Sequence, residues 1–307
     1  KRHILSEIIV LAICAVVAGS DDWVGIEEFG IDRHDWFKQF LSLPNGIPSH
    51  DTFGRVFSLI SPTEFEACFL EWISLLRFKI PGEIVAIDGK NLRRSHDEKS
   101  GKSAIHMVSA WASENALILG QIKTDAKSNE ITAIPQLIEL LDLYGCIVTI
   151  DAMGCQKEIA RLIIDKQADY VLSLKANHGN LFDEVQQFFL GKLANNFEES
   201  SLSYCQTSTK NHGRSEVRRY WITDQISELS STASWKNLNL IGMVESQRTV
   251  RGETIIERRF FISSLENNVQ LFAKAVRQHW GIENSVHWIL DIGFREDESR
   301  IRTGHAP

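Results

Sequence analysis

Three acidic residues stand in sequence contexts that suggest phosphoryl-transfer chemistry. Asp88 and Asp151 each end an apolar run, and Glu283 lies among His, Trp and Asn in the block Arg277–Trp288. Short apolar runs are typical of buried strands, and the spacing of the apolar residues around Glu283 is typical of a helix. Two acids on strands and one on a helix predict a metal-dependent phosphoryl-transfer site.

Divalent cations explain why carboxylates would be grouped in this way. Two cations about 3.5–4 Å apart can activate the attacking oxygen and stabilise the leaving oxygen of a phosphodiester. Mg²⁺ prefers hard oxygen ligands and keeps several waters, so a few carboxylates and substrate phosphates suffice. We therefore expect a two-metal site for Mg²⁺, with Mn²⁺ as a substitute.

Each acid also has a structural interpretation. An Asp after a buried strand is often a capping or turn residue. Glu283 could pair with Arg277 or His287, and together with His279 and His287 it could form a zinc site. Glu130 is assigned to the start of a helix, where a carboxylate is favourable.

Length and composition are typical of a globular protein. The 307 residues are 43% hydrophobic, which suggests about two domains. Five scattered cysteines without a CxxC pair favour neither a disulfide framework nor a zinc knuckle. The apolar run at residues 4–18 contains Glu7 and is shorter than the ~20 residues of a membrane span, so we expect a buried helix, no membrane and a cytoplasmic protein. The chain begins without Met, and we expect it to be a fragment.

The net charge of −7 argues mildly against a nucleic-acid partner, but local basic clusters could neutralise phosphates. The alternative is an ordinary solvated surface. The clusters are Lys90, Arg93 and Arg94; Lys210, Arg214, Arg218 and Arg219; and Arg248, Arg251, Arg258 and Arg259.

The order of predicted elements indicates an α/β fold. After a helical region come three strands, a helix, a strand, a helix, a strand and a helix, which matches a ribonuclease H-like core with a mixed sheet. Asp88 lies on the first strand of this core and Asp151 at the end of the fourth. A single helix is predicted over Val269–Leu290, with His279 and His287 on the same face as Glu283.

Three regions follow from this pattern. Residues 1–80 form a small helical amino-terminal domain. Residues 81–192 and 263–307 form the catalytic core, and residues 193–262, with their short alternating stretches, form a β-rich insertion.

Several motifs resemble the H-repeat-associated branch of bacterial insertion-sequence transposases of the DDE type, together with the amino-terminal domain associated with them. The resemblance runs along nearly the whole chain. The matching segments are Leu43–Phe57, Ala86–Lys90, Lys127–Ile131, Thr149–Gln156, Asn211–Glu216 and His279–Trp288.

The resemblance implies that Asp88, Asp151 and Glu283 are the metal ligands of a DDE transposase. Such an enzyme would cut DNA at the terminal inverted repeats of its element and join the 3′-OH to target DNA, acting as a homo-oligomer. A related larger group has Arg and Lys where this chain has His279 and Leu290. The residues that we expect to contact DNA are Lys90, Arg93, Arg94, Lys175, Lys210, His212, Arg214, Arg277, His279, Asn284 and His287.

Two alternatives stay open from the sequence. One is a ribonuclease H-like nuclease that hydrolyses nucleic acid without strand transfer. The other is a catalytically defunct DNA-binding remnant. Tryptophans such as Trp280 and Trp288 could stack on bases, although core packing is commoner for such residues.

Overall fold

A computed structural model describes residues 2–93, 95, 104–124, 130–195, 202–211, 214–227, 229–250 and 252–298. The chain divides into two compact units. The first comprises Lys1–Leu75, Asn91–Ile105 and Glu283–Pro307, and the second comprises Leu76–Lys90 and His106–Ile282.

The first unit is helical in its amino-terminal part. Its helices are α1 (Leu5–Val17), α2 (Trp23–Asp32), α3 (His34–Phe37), α4 (His50–Leu59) and α5 (Pro62–Leu76).

Helix α1 packs its apolar face into the core of this unit, where Leu11, Phe37 and Phe53 are fully or almost fully buried. The buried Glu7 carboxylate accepts hydrogen bonds from the backbone N–H groups of Ser42 and Leu43, at 2.9 and 3.1 Å. These bonds satisfy a charge that burial would otherwise make costly. No helix in the described parts of the chain is long and apolar enough to cross a membrane.

The second unit is built on a sheet of mixed direction. Within the described residues the order of its nine strands is β3-β2-β1-β4-β5-β9-β8-β7-β6. The strands are β1 (Ile84–Asn91), β2 (His106–Ala112), β3 (Leu117–Lys123), β4 (Ile147–Ile150), β5 (Asp169–Leu174), β6 (Ser203–Asn211), β7 (Arg214–Thr223), β8 (Leu240–Val250) and β9 (Glu253–Ser263).

Strand order confirms the predicted fold class. The first five strands are arranged 3-2-1-4-5, with β1, β4 and β5 parallel and β2 antiparallel to β3, as in a ribonuclease H-like core. Strand β9 pairs antiparallel with β5, so the strands of residues 193–262 extend the same sheet.

Helices cover both faces of this sheet: α6 (Glu130–Leu140), α7 (Lys157–Asp165), α8 (Gly179–Ala194) and α9 (Val269–His279). One face packs on α9, in a cluster that contains Ile84, Val171 and the fully buried Phe272. On the opposite face, Phe260 contacts Phe182 of α8, with ring centroids 5.8 Å apart. Side chains at positions i and i+2 of a strand point to the same face of the sheet. A residue that contacts α9 therefore shows that the residues two positions away on its strand also face α9.

The prediction of one continuous helix over Val269–Leu290 is wrong. Helix α9 ends at His279, residues Glu283–His287 form a π-helical turn, and α10 spans Trp288–Ile292. Gly281 lies at the break, and glycine is a poor helix former. A π-helical turn bonds residues i and i+5, so the regular spacing assumed from the sequence does not continue through it.

Phe272 offers a direct test of how this core is packed. Its ring fills the space over Gly242, where a Cβ would come within 2.5 Å of it, and meets Phe261 edge-on at 5.6 Å. We expect Phe272→Ala to lower the free energy of unfolding by about 3–5 kcal/mol. Phe78→Ala, at a side chain that is 77% exposed, should change it by no more than about 0.5 kcal/mol. Urea unfolding measures both, and equal losses would contradict the packing described.

Candidate active site

Parallel pairing brings Asp88 and Asp151 to the same edge of the sheet. Ile87 of β1 is paired with Ile150 of β4, so the two aspartates occupy the next positions along neighbouring strands. Neighbouring strands lie about 4.8 Å apart. Ile84 and Ile147 pack on the α9 side, and alternation places Asp88 and Asp151 on that side too. Two carboxylates therefore share one edge and one face of the sheet.

The Asp151 carboxylate is oriented by the turn that follows it. Its Oδ1 accepts hydrogen bonds from the backbone N–H groups of Met153 and Gly154, at 2.9 and 3.3 Å. Gly154 leaves no room for a side chain, because a Cβ there would come within 2.8 Å of Ile134 and closer still to Ile150. Asp151 thus has the turn role that its position after a strand suggested, and this role directs its second carboxylate oxygen.

The absence of a side chain at Gly89 makes room for the carboxylate of Glu130. A Cβ at position 89 would lie 2.5 Å from the carboxyl carbon of Glu130 and 2.7 Å from His106 Nε2. The same His106 nitrogen is 3.0 Å from Glu130 Oε1, and both side chains are largely buried. The pair joins β2 to α6 and packs over the β1 backbone directly after Asp88.

Helix α6 begins at Glu130, which confirms the helix start expected there. The Glu130 side chain also interacts with His106 and Asp151. Burial raises the pKa of Glu130, His106 opposes the rise, and the charge of Asp151 adds to it. Glu130 is therefore within electrostatic reach of the candidate metal ligands. The sequence contained no signal for its partner His106, because the two residues come from separate elements.

His279 lies beside the strand that leads to Asp151. Its Nδ1 is 3.0 Å from the Thr149 hydroxyl, two residues before Asp151. Burial lowers the pKa of His279 to about 4; Asp151 opposes this shift and Arg259 adds to it. The ring is neutral at pH 7 and adds no positive charge beside the carboxylates.

Glu283 belongs to the first compact unit, where it is exposed and opens the π-helical turn. No three His, Cys, Asp or Glu side chains among the described residues are grouped to hold one ion. The chemistry of the donors nevertheless fits Mg²⁺, because Asp88 and Asp151 supply hard oxygen ligands from adjacent strands.

Several of the basic residues on β7 and β9 are paired with carboxylates. Glu245 accepts from Arg219 at 3.0 Å and from Arg258 at 2.8 Å. Arg218 lies 2.7 Å from Glu216, and Arg259 lies 2.8 Å from Glu257. These four arginines therefore do not form an unbalanced positive patch.

The remaining residues that we expected to contact DNA are spread over both units. Lys175, Lys210 and Arg277 are exposed on the second unit, whereas Lys90 is almost buried. In the first unit, the Arg93 side chain is 87% exposed and its backbone N–H donates to Asp297. Asn284 is exposed and His287 is half-buried in the π-helical turn. Arg94 and His212 lie outside the described residues, and Arg214 is described only as part of β7.

The comparison with protein families identifies the class to which this fold and site belong. Residues 79–306 match the family model described as transposase DDE domain, and residues 1–73 match the model described as DDE_Tnp_1-associated. The chain belongs to the transposase DDE domain family.

Similar proteins bear related names. "Putative transposase YncI" of Escherichia coli O157:H7 is 45% identical over 99% of this chain and 78% of its own length. "H repeat-associated putative transposase YhhI" of Escherichia coli K12 is 43% identical over 99% of this chain and 81% of its own length. A solved piggyBac transposase synaptic complex with hairpin DNA matches with a TM-score of 0.41 at 10% identity, over 93% of this chain and 58% of that one.

His279 makes the stability of the fold depend on pH. Its pKa of about 4 lies below the ~6.5 of a histidine in an unfolded chain, so the unfolded state binds more protons between these values. Stability contributed by the neutral ring is present above pH ~6.5 and is lost as the pH falls toward 4. As the pH falls through this window, we expect the free energy of unfolding to fall less steeply for His279→Gln than for the parent chain. The difference between the two slopes corresponds to at most one bound proton. Urea unfolding over this range measures the slope, and equal slopes would contradict the buried neutral state.

Proposed function

We propose that this chain cleaves DNA at the ends of a mobile element and transfers the freed 3′-OH ends into target DNA. In this proposal Asp88, Asp151 and Glu283 hold two Mg²⁺ ions, for which Mn²⁺ can substitute. The observation that supports it most is the pairing of β1 with β4, which sets Asp88 beside Asp151 in a chain of the transposase DDE domain family.

Each part of the site has a task in this proposal. When bound, the two cations would activate the attacking oxygen and stabilise the leaving oxygen. The turn at Met153 and Gly154 holds Asp151 by one carboxylate oxygen, so the orientation of the carboxylate is fixed before a cation binds. The neutral His279 keeps the nearby charge negative, which favours cation binding. Glu283 would supply the third carboxylate from the π-helical turn.

DNA is the partner in this proposal, both as terminal inverted repeats and as target. We further propose that the chain works as a homo-oligomer that bridges two element ends, and that it does so in the cytoplasm. As regional assignments, residues 81–192 and 263–307 would form the catalytic core. Residues 1–80 and the β-rich region 193–262 would bind DNA.

The central test is cleavage by variants in which each acid becomes its neutral amide. We expect Asp88→Asn, Asp151→Asn and Glu283→Gln each to lower cleavage at least ~10³-fold, because each removes a metal ligand that contributes several kcal/mol to the transition state. The assay follows a labelled duplex that carries the element's own end, incubated with Mg²⁺ or Mn²⁺.

Matched controls come from exposed acids of the same unit as the aspartates. Asp183→Asn on α8 and Glu139→Gln on α6 should cleave at the parent rate. Full activity in any of the three site variants would contradict its assignment as a metal ligand.

The products separate this function from the two alternatives. Label joined to a target duplex indicates strand transfer, whereas cleaved but unjoined DNA indicates a nuclease. Salt-sensitive binding of the element end without cleavage indicates a DNA-binding remnant.

A further inference from the structure

Two basic residues continue the edge of the sheet beyond the aspartates. Lys175 follows β5, the strand next to β4, and Leu174 of β5 is paired with Phe260 of β9. The next pair outward in this antiparallel register is Lys175 with Arg259. Lys175 and Arg259 therefore stand side by side, on the two strands that follow Asp151 across the sheet.

Both residues are on the face that holds the two aspartates. Val171 packs against α9, and alternation places Lys175 on the same side of β5. Phe261 packs on Phe272 of α9, and alternation places Arg259 on that side of β9. The α9 face therefore carries two carboxylates and then two cations along one edge.

Arg259 is held in place by an aromatic ring. Its guanidinium carbon is 4.7 Å from the centroid of the Trp280 ring, and its Nε is 2.8 Å from Glu257 Oε1. Trp280 directly follows His279, whose ring is bonded to Thr149 of β4. Through these contacts the guanidinium is linked to β4, the strand that directly precedes Asp151.

Electrostatics agree with this placement. The pKa of His279 responds both to Asp151 and to Arg259, so the imidazole lies within reach of both charges. The pKa of Glu257 is lowered first by Arg259 and further by Arg248 and Lys175, so Lys175 and Arg259 act on one carboxylate.

The contacts of Arg259 leave it able to bind an anion. An exposed ion pair such as Arg259–Glu257 contributes little and can be exchanged for a stronger partner. A guanidinium is planar and binds phosphate oxygens through two parallel hydrogen bonds while it stays stacked on a ring. The cation–π contact with Trp280 holds the guanidinium in place before any ligand arrives.

We propose that Lys175 and Arg259 bind the phosphates of the DNA strand that is cut at the Asp88–Asp151 centre, an inference that rests on the proposed transposase function. Strand β9 lies two strand spacings from β4, or about 10 Å, and Arg259 stands two residues, or about 7 Å, beyond the level of Asp151, so the two residues are about 12 Å apart. One DNA strand advances about 3.4 Å per nucleotide. The contacted phosphates therefore lie within about four nucleotides of the cleaved bond.

Salt dependence of DNA binding tests the pair without any cleavage. In metal-free buffer, we expect Lys175→Gln and Arg259→Gln each to weaken binding of the labelled element-end duplex and to reduce the slope of log Kd against log salt by about one. Arg259→Lys should keep the slope but bind less tightly, because it retains the charge and loses the planar contact.

Arg161 supplies a matched control in the same unit. It is an exposed arginine on α7 that is likewise paired with carboxylates, Glu158 and Asp165. Arg161→Gln should leave both the affinity and the slope unchanged. A slope for Arg259→Gln equal to that of the parent or of Arg161→Gln would overturn the assignment of Arg259, and the same outcome for Lys175→Gln would overturn that of Lys175.

Duplexes with one neutral methylphosphonate locate the contact. At the phosphate that Arg259 contacts, within about four nucleotides of the cleaved bond, a methylphosphonate should weaken DNA binding by the parent chain but cause no further loss in Arg259→Gln, since the charge it would have met is already gone. Independent losses at every such position would overturn the assignment.

The outcome can be separated from that of the proposed function. Asp88→Asn should bind metal-free DNA with the parent slope while it loses cleavage. Retained cleavage in Asp88→Asn would contradict the proposed function, whatever the arginine variants show. Unchanged slopes in Lys175→Gln and Arg259→Gln, with cleavage lost in Asp88→Asn, would overturn the phosphate-binding pair alone.

Discussion

The parallel pairing of β1, β4 and β5 is the constraint on which the candidate site depends. Parallel strands end at the same edge, so the residues that follow their apolar segments are brought together whatever their separation in sequence. Asp88 and Asp151 are 63 residues apart along the chain, yet they occupy neighbouring positions at that edge, and Lys175 lies on the next strand, two residues beyond the level of Asp151. A register shift of one residue would turn these side chains to the other face.

Packing on both faces maintains this register. Helix α9 covers the face of the aspartates through Phe272 and its neighbours, and its end is bonded to β4 through His279 and Thr149. On the other side, Glu130 and His106 occupy the space over Gly89. The backbone after Asp88 is thus packed against the His106–Glu130 pair, and the strand before Asp151 is held by the contact of His279 with Thr149.

Charge at this edge is divided between neighbouring strands. Carboxylates stand on β1 and directly after β4, and cations stand directly after β5 and on β9. A phosphodiester bound with divalent cations needs both kinds of group, since carboxylates hold the metals and basic side chains compensate the remaining phosphate charge. His279 lies within electrostatic reach of both Asp151 and Arg259. Because its ring is neutral, it adds no further positive charge beside the carboxylates.

Much of the fold could be predicted from the sequence because its elements have strong local signals. The apolar runs before Asp88 and Asp151 and the order of strands and helices led to the ribonuclease H-like core, which the strand order confirms. The helix break near Gly281 was missed, because the apolar residues on both sides of it were assigned to one regular helix, whose spacing a π-helical turn does not keep.

Long-range side-chain pairs had no sequence signal at all. The contact of His106 with Glu130 and the stacking of Arg259 on Trp280 join residues of separate elements, and only the register of the sheet brings them together. The basic clusters were visible in sequence, but their balance by Glu216, Glu245 and Glu257 was not, because it depends on which face each strand residue occupies.

Anomalous diffraction from crystals grown or soaked with Mn²⁺ tests the central claim most directly, because it locates the cation without requiring turnover. We expect a manganese peak at the carboxyl edge of the sheet, within bonding distance of both Asp88 and Asp151, and its loss in crystals of Asp88→Asn. A saturating manganese soak with no peak at these two carboxylates, or with a peak that persists in Asp88→Asn, would contradict a metal centre at Asp88 on β1 and Asp151 after β4.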